Sequence, residues 1–166
     1  MAKPLLLIGG GGHAAVLVDI IEHLQLTIEA VVSPKIESGR TIFKGLQHLK
    51  SDADILKYDA DEVELVNGIG FIPGNPLRVK IFERYREQGY RFKTLISPFA
   101  AVSKFAKVSQ GAQVMPNVVI QAGVVIGENS VINTSATVEH DCRIGLHNHI
   151  APGAVLCGDV STEDNV

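Results

Sequence analysis

The chain has 166 residues, of which 46% are hydrophobic but only 5% aromatic, which suits one compact domain or two small ones with an aliphatic core. Its net charge of −3, with no basic run longer than a pair, argues against binding to nucleic acid or to an anionic membrane. With no signal peptide, no apolar run of the roughly 18–20 residues that span a membrane and too few cysteines for a disulfide framework, the sequence predicts a cytoplasmic protein.

Charged residues are unevenly distributed along the chain. Residues 1–94 contain 24 of the 33 Asp, Glu, Lys and Arg residues, whereas residues 95–166 contain nine. The second part is instead rich in small and β-branched residues, which favour strands. We therefore expect two domains, one over residues 1–94 and the other over residues 95–166.

Strands and helices alternate in the first part. Apolar runs at residues 5–9, 27–32, 63–70 and 91–97 predict four short strands. Strands that alternate with helices favour a parallel sheet with right-handed crossovers, as in a Rossmann-like α/β domain. Residues 33–61 carry the weakest pattern, and we assign no element to them.

Two helices are predicted between these strands. The first follows the opening strand and is indicated by apolar residues at helical spacing, namely Ala14, Leu17, Val18, Ile21 and Leu24. The second covers residues 75–90, where Leu77, Ile81 and Tyr85 recur every four residues. Val79 and Phe82 widen this face, so the pattern predicts an amphipathic helix with its apolar side toward the sheet.

A glycine-rich loop, IGGGGHAA, joins the first strand to the first helix. Gly9, Gly11 and Ala14 match the G-x-G-x-x-G/A spacing of dinucleotide-binding loops. Glycines allow the backbone to approach a phosphate, and the N-terminus of a helix offers free N–H groups and a partial positive charge. The loop therefore predicts a nucleotide site, the alternative being a tight turn without a ligand.

The residues after the second strand bear on the choice of nucleotide. A site for NAD(H) normally has a carboxylate there to hold a ribose hydroxyl. This chain has Ser33 and Lys35 in the segment VVSPK instead. NAD(H) is therefore disfavoured, whereas another nucleotide diphosphate, with Lys35 as its charge partner, fits the residues.

The second part is built from a six-residue repeat. Every sixth residue from Ile96 to Leu156 is a large aliphatic, and the residue four places later is small or β-branched in nearly every case. Hexapeptide repeats produce this pattern, whereas neither a helix nor an ordinary strand does. Each repeat makes one short strand and a turn, and three repeats make one triangular coil. The sequence therefore predicts a left-handed parallel β-helix with an aliphatic interior.

The repeat weakens over residues 162–166, and the sequence stops inside a coil. An open coil end exposes strand edges, which repeat proteins normally cap. We therefore expect the β-helix to be incomplete at its C-terminal end.

Three histidines lie within the repeats, namely His140, His147 and His149. His140 is followed directly by Asp141, and His147 is predicted to lie on the surface. His140 and His149 are nine residues apart, which is half of an 18-residue coil, so we expect them on different sides of the prism. A neighbouring copy of the chain would have to supply one of them if both belong to one site.

Taken together, the motifs resemble those of a known family. They are GGGGHA at residues 9–14, INTSATVEHDCRIG at 132–145 and HNHIAPGAVLCGDV at 147–160. They resemble the hexapeptide sugar acetyltransferases, which comprise the sialic-acid O-acetyltransferases and the bacterial nucleotide-aminosugar N-acetyltransferases. The resemblance covers nearly the whole chain. It implies a homotrimer with its active site between two subunits. The implied reaction transfers acetyl from acetyl-CoA to a nucleotide-linked amino sugar, in bacterial lipopolysaccharide or glycan precursor synthesis.

The resemblance also implies roles for residues of the β-helix. His140 matches the general base and Asp141 the acid beside it. His149 matches a histidine near the thioester carbonyl, and Gly158 matches a main-chain contact to acetyl-CoA. Asn133 lies at the position that approaches the acceptor.

In the first part, the resemblance implies that Gly11, Gly12 and His13 surround the nucleotide sugar, with Lys35 nearby. Two departures from the family pattern bear on this. The SPK segment at residues 33–35 replaces an acidic pair that some members carry, so the nucleotide base stays open. The later coils and C-terminal segment that normally complete the CoA site do not occur in this sequence.

The residue types suit direct acyl transfer without a metal. The acceptor amine or hydroxyl must lose a proton as it attacks the thioester, and imidazole, with an ordinary pKa near ~6.5, can take it. A carboxylate at Asp141 would fix the imidazole tautomer and stabilise the imidazolium that forms. His149 or a backbone N–H can stabilise the oxyanion.

Other interpretations of the same residues are open. The acceptor could be a hydroxyl group, as in a sialic acid O-acetyltransferase. The three histidines could hold zinc, as in a lyase similar to γ-carbonic anhydrase. Cys157 could carry the acetyl group covalently, or the protein could be a non-catalytic, nucleotide-binding trimer.

Overall fold

The chain forms two units in the computed structural model, which describes residues 2–166. The first unit ends at Lys93, and the second runs from Thr94 to Val166. None of the helices in residues 2–166 combines the length and the apolar character that crossing a membrane requires. The two units are built on different principles, a sheet with crossover helices in the first and stacked repeats in the second.

The first unit contains a four-stranded parallel sheet with the strand order β3-β2-β1-β4. Its elements are β1 (Leu5–Ile8), α1 (Gly12–His23), β2 (Ile28–Val32), β3 (Gln47–Leu49), β4 (Glu64–Asn67) and α2 (Leu77–Glu87), with 3-10 turns at Thr41–Phe43 and Asp52–Lys57. The predicted parallel α/β fold is confirmed, and β1, β2 and β4 correspond to the first three predicted strands.

Two features of this sheet differ from the sequence prediction. β3 lies within residues 33–61, to which we assigned no element. The sequence did not indicate it because an edge strand of three residues is too short to display a period. The single strand predicted at 91–97 is wrong, since its two ends have different partners. Phe92 bridges Leu65 in the sheet, whereas Leu95–Ile96 pairs with residues of the second unit.

The buried face of α2 is also shifted from the predicted one. Leu77 is 44% exposed, and Arg78 is buried in its place together with Ile81 and Tyr85. A guanidinium can be buried if its donors are satisfied. Here Arg78 donates to the main-chain carbonyl oxygens of Asn67, at the end of β4, and of Ile69, just beyond it, so this charged residue faces inward.

Four aromatic residues belong to the core cluster that includes α2 and the sheet, where the low aromatic content had predicted an aliphatic interior: Phe82, Tyr85, Tyr90 and Phe92. The rings of Phe82 and Phe92 pack with their centroids 4.6 Å apart. The hydroxyl of Tyr85 donates to the carbonyl oxygen of Asp52 at 2.8 Å, so its polar end is satisfied. These aromatics pack α2 against the sheet and thereby hold the loop after β4.

The second unit is a left-handed parallel β-helix of two-residue strands, as the hexapeptide pattern predicts. The strands are β5 (Leu95–Ile96), β6 (Ala101–Val102), β7 (Lys107–Val108), β8 (Gln113–Val114), β9 (Val119–Ile120), β10 (Val125–Ile126), β11 (Val131–Ile132), β12 (Thr137–Val138), β13 (Arg143–Ile144), β14 (His149–Ile150) and β15 (Val155–Leu156). They form three sheets, β5-β8-β11-β14, β6-β9-β12-β15 and β7-β10-β13. Paired residues are 18 positions apart, so three repeats form one coil.

The turns between these strands follow the same period. Every sixth residue from Gly111 to Asn165 has a φ in the left-handed region. Glycine, asparagine and aspartate adopt this conformation at low cost. Asp141 is one of these residues, with φ 63°, so its place in a turn is set by the repeat.

Candidate functional site

A cavity of about 710 Å³ opens at the carboxyl edge of the sheet in the first unit. Three segments of the chain line it: the glycine loop, residues that follow β2 and residues that follow β4. Gly11, Gly12, His13 and Lys35, the residues predicted to contact the substrate in this unit, all line this one cavity. Ligands of open parallel sheets bind at this edge, so the cavity is the candidate nucleotide-sugar site.

Close backbone packing explains the glycines of this loop. Gly9 has a φ of 113°, and a β-carbon built there would lie 2.9 Å from the backbone of Gly68. A β-carbon on Gly10 would lie 3.0 Å from the carbonyl oxygen of Lys35. The three segments therefore touch through main-chain atoms. α1 begins at Gly12 with Gly11 as its N-cap, and a glycine leaves the first N–H groups of the helix without a side-chain cap, as anion binding requires.

The cavity also contains a carboxylate that sequence reasoning missed. Ser33 donates to the carbonyl oxygen of Lys35 at 2.8 Å, and the main-chain N–H of Glu37 donates to the carbonyl oxygen of Gly10. This turn brings Glu37 to the cavity wall, where its carboxylate forms an ion pair with Arg40. No acidic residue follows β2 directly, as the sequence indicated, but Glu37 lies five positions after the last residue of β2, Val32. The opposite charges at positions 37 and 40 were the available signal.

Arg40 reaches the N-terminus of α1. Its Nη2 atom would lie 3.3 Å from a β-carbon built on Gly12, so the guanidinium rests on the first residue of the helix. Its Nε donates to Oε2 of Glu37 at 2.5 Å. Glu37 balances the charge of Arg40, so Lys35 is the cation of this wall that can pair with an anionic group such as a diphosphate.

Arg78 supports the loop that closes the other side of the cavity. Its guanidinium donates to the carbonyl oxygens of Asn67 at 2.9 Å and Ile69 at 2.8 Å. Burial lowers the pKa of Arg78 to about 9, so the residue keeps its positive charge at neutral pH. Sequence reasoning missed this support, although the glycines at the end of the third predicted strand, Gly68 and Gly70, were a visible sign of a second close approach.

In the second unit, His140 and Asp141 lie together in the turn after β12. Nδ1 of His140 is 2.9 Å from Oδ2 of Asp141, and the two side chains are 65% and 66% exposed. The main chain is fixed on both sides, because Asp141 N donates to Ala122 O in the preceding coil and Asp159 N donates to His140 O in the next. The pair is therefore an exposed imidazole–carboxylate dyad on a rigid turn.

The dyad has the electrostatics of a general base. The hydrogen bond to Asp141 raises the pKa of His140, and the nearby carboxylates of Glu139 and Asp159 raise it further. With Nδ1 directed at the carboxylate, the neutral imidazole carries its proton on Nδ1 and has a free lone pair on Nε2. Nε2 is thus the atom that can accept a proton from a bound acceptor.

The predicted site residues of this unit fall into two groups. A β-carbon built on Gly158 would lie 2.6 Å from Nε2 of His140, so Gly158 belongs with His140 and Asp141. Asn133 and His149 form the second group, in which the amide nitrogen of Asn133 lies 3.0 Å from Nε2 of His149. β12 and β14 belong to different sheets, so His140 and His149 lie on different sides of the prism, as predicted.

Two further residues named from the sequence are His147 and Cys157. His147 is half-buried and is contacted by the side-chain amide of Asn129 at 3.0 Å, so it is less exposed than predicted. Cys157 is exposed, and its carbonyl oxygen accepts from the buried thiol of Cys142. In the described part of the chain, we find no cluster of three His, Cys, Asp or Glu residues that could hold a metal ion.

Two family models match the sequence. The PglD N-terminal domain matches residues 4–85, and the bacterial transferase hexapeptide (six repeats) matches residues 105–139. The first match covers most of the unit with the cavity, and the second ends at residue 139, directly before the dyad. No curated protein matches the chain.

Solved structures match the chain over nearly its whole length. A histidine-to-asparagine variant of perosamine N-acetyltransferase from Caulobacter crescentus, in complex with CoA and GDP-perosamine, is 31% identical, with 97% of this chain and 74% of that chain covered and a TM-score of 0.84. The acetyltransferase domain of PglB from Neisseria gonorrhoeae FA1090, in complex with acetyl coenzyme A, is 29% identical, with 96% and 75% covered and a TM-score of 0.85. WeeI from Acinetobacter baumannii AYE is 21% identical, with 98% and 76% covered and a TM-score of 0.82, and supports the fold alone.

Proposed function

We propose a direct acetyl transfer, because this chain belongs to the family of nucleotide-aminosugar acetyltransferases, in which a PglD-type domain precedes hexapeptide repeats. In the proposed mechanism, acetyl passes from acetyl-CoA to the amino group of the sugar, and His140 is the general base. The protein is an acetyl-CoA-dependent acetyltransferase, as the resemblance implied. The observation that carries the proposed mechanism is the 2.9 Å contact between Nδ1 of His140 and Oδ2 of Asp141 on an exposed turn.

The proposed reaction is a single acyl transfer. The amino nitrogen of the sugar attacks the carbonyl carbon of the thioester and forms the C–N bond, while Nε2 of His140 takes a proton from that nitrogen. Asp141 stabilises the resulting imidazolium. The C–S bond then breaks, and the imidazolium returns the proton to the sulfur, which leaves as CoA. A main-chain N–H or His149 stabilises the oxyanion, and Gly158 and His149 contact acetyl-CoA in this proposal.

The cavity of the first unit is the proposed site for the nucleotide part of the acceptor. Gly11 and Gly12 would bind the diphosphate through main-chain N–H groups at the start of α1. Lys35 supplies a positive charge on the same wall, and His13 contacts the sugar-nucleotide beside the loop. Asn133 of the second unit contacts the acceptor in this proposal. We also propose that the enzyme acts in the cytoplasm, in the synthesis of bacterial surface polysaccharide or glycan precursors.

A substrate panel tests this function directly. Amino sugars linked to UDP, GDP and dTDP would be incubated with acetyl-CoA, and release of the CoA thiol would be measured. We expect release with at least one of them. The matched controls are the same nucleotide sugars with a hydroxyl in place of the amine, for which we expect no release. Release only with the hydroxyl sugars would instead indicate O-acetylation, and release only with sugars lacking a nucleotide would contradict the proposal.

We further propose that the enzyme is a homotrimer, because His140 and His149 lie on different sides of one prism and can share a site only across two copies. Sedimentation should detect a species of three 17.8 kDa chains. A sharper measurement mixes the His140→Ala and His149→Ala variants under conditions of subunit exchange. Each variant should be impaired alone, and mixing should restore activity, since some interfaces then contain both histidines. A stable monomer, or no recovery on mixing, would contradict a shared site.

A further inference from the structure

Gly158 lies directly against the imidazole of His140. The two residues are 18 positions apart and occupy the same place in successive coils, with Asp159 N donating to His140 O at 2.9 Å. A β-carbon built on Gly158 would lie 2.6 Å from Nε2 and 2.7 Å from Cε1 of His140. Both distances are shorter than any contact that a real β-carbon makes, so a side chain at Gly158 and the present ring position exclude each other.

The backbone does not require glycine at position 158. Its φ lies outside the left-handed region, unlike that of the neighbouring turn residue Asp159. The same place in the earlier coils is occupied by Lys104, Ala122 and His140 itself, so the repeat accepts a β-carbon there. The missing side chain is therefore explained by the contact with the His140 ring.

A second glycine makes room for the other member of the dyad. Gly123 lies 18 positions before Asp141, and a β-carbon built on it would overlap Oδ1 of Asp141. The carboxylate thus occupies the space that a side chain at position 123 would fill. Gly123 also has a left-handed φ of 78°, so its substitution carries backbone strain in addition to this overlap.

We propose that Gly123 and Gly158 are positioning residues for the acetyl transfer, which hold the His140–Asp141 dyad in its geometry from the coils on either side and keep Nε2 of His140 open to the acceptor. The inference rests on the proposed role of His140 as the base. It gives Gly158 a second role besides the main-chain contact to acetyl-CoA. A methyl group at position 158 must either rotate the imidazole away from Asp141 or cover Nε2, and both outcomes weaken proton acceptance.

A histidine titration by NMR tests the geometry without depending on activity. The pKa of His140 is raised mainly by its hydrogen bond to Asp141, so breaking that bond should lower the pKa toward the ordinary histidine value. We expect this change in Gly158→Ala and in Gly123→Ala. The matched control is Gly153→Ala. Gly153 has a φ of 69°, close to the 78° of Gly123, but apart from its chain neighbours no atom of residues 2–166 lies within 4 Å of a β-carbon built there. Its His140 should titrate as in the wild type, and unchanged titration in all three variants would overturn the inference.

Kinetics in two backgrounds then separate positioning from acetyl-CoA binding. In the wild-type background, Gly158→Ala should lower kcat by about 10–100-fold, the scale of a small misplacement of a reacting group, with the KM for acetyl-CoA within about twofold. In a His140→Ala background, the same change should have no further effect on kcat, because the ring it acts through is gone. An equal loss in both backgrounds would mean that Gly158 acts on acetyl-CoA alone, and the positioning role would be overturned.

These measurements also distinguish failure of the inference from failure of the proposed mechanism. Normal turnover in His140→Ala alone would place the base elsewhere and remove the mechanism on which the inference rests. A second outcome is that turnover is impaired in His140→Ala but that turnover and titration are normal in both Gly158→Ala and Gly123→Ala. This outcome would overturn the positioning role and leave His140 as the base. Circular dichroism and thermal unfolding of each variant would verify that the β-helix is folded.

Discussion

Replacement of His140 with alanine is expected to lower kcat by about 10²–10⁴-fold, the usual cost of removing a general base. The imidazole is exposed and lies in a turn, so the β-helix should remain folded. Because the base acts on the acceptor during transfer, the loss should appear in kcat while the KM values change little. Steady-state kinetics at saturating acetyl-CoA, with the best acceptor from the panel, would measure it.

The pH dependence should identify His140 as the base. A base must be unprotonated to act, so kcat/KM should rise with pH through the pKa of His140. The Asp141 hydrogen bond and the nearby carboxylates raise that pKa, so the rise should be centred above the ordinary value of histidine. In His140→Ala this ascending limb should disappear.

Asp141→Asn is the matched variant for the carboxylate. Asparagine tolerates the left-handed φ of 63° at this position, so the turn should keep its shape. Loss of the negative charge should lower the pKa of His140 and move the ascending limb to lower pH, and kcat should fall less than in His140→Ala because the imidazole is still present. Turnover of His140→Ala within about threefold of the wild type would contradict the assignment, and His149 would be the next residue to test.

A second large effect is expected in the first unit, where Gly68→Ala should destabilise the fold and weaken binding of the nucleotide sugar. Gly68 is buried, and a β-carbon on it would lie 2.7 Å from the carbonyl oxygen of Ile8 and 2.9 Å from Cβ of Ala14. Overpacking costs about 1–3 kcal/mol, and the smaller entropy of the unfolded chain returns about 0.4–1 kcal/mol. The net loss in the free energy of unfolding should be about 1–2 kcal/mol.

The loop after β4 must move to accept the added methyl group. Gly68 is in backbone contact with Gly9, so this movement opens the cavity between the two loops. We expect the KM for the nucleotide sugar to rise by about tenfold, equivalent to roughly 1.4 kcal/mol of lost binding. Urea denaturation and kinetics at varied nucleotide sugar would measure the two effects.

Gly70→Ala is the matched control in the same loop. A β-carbon there would meet Cβ of His13 at 3.4 Å, which is an ordinary contact, so its stability should stay within about 0.5 kcal/mol of the wild type. Equal destabilisation of Gly68→Ala and Gly70→Ala would show that the loop tolerates no side chain anywhere, and the specific contact with Ile8 and Ala14 would not be the cause.

The architecture of the second unit could be predicted from the sequence because each repeat meets the same environment. An aliphatic residue at every sixth position from Ile96 to Leu156 becomes the inward residue of every strand. The same regularity identified the turn around His140, since a residue and its neighbour in sequence share one turn wherever the chain lies. The sequence could therefore place His140 and Asp141 side by side, whereas their roles as base and acid were implied by the resemblance to the sugar acetyltransferases.

Strand partners and helix phase were decided only by tertiary structure. The apolar run at 91–97 looks continuous, but Lys93 N donates to Leu65 O and Leu95 N to Ala112 O, so its two ends belong to different units. Likewise, Arg78 is buried because carbonyls at the end of β4 accept its donors. Neither partner is near in sequence, so no local pattern could indicate it.

The same division holds for the candidate site. The sequence by itself determined the glycine loop between a strand and a helix, Lys35 after the second strand and the adjacency of His140 and Asp141, because each is a local pattern. The position of Glu37 in the cavity and the contacts of Gly68, Gly123 and Gly158 depend on segments that meet only in the folded chain. A glycine in a sequence indicates that something approaches closely, but the atom that approaches is set by the packing of the coils and loops around it.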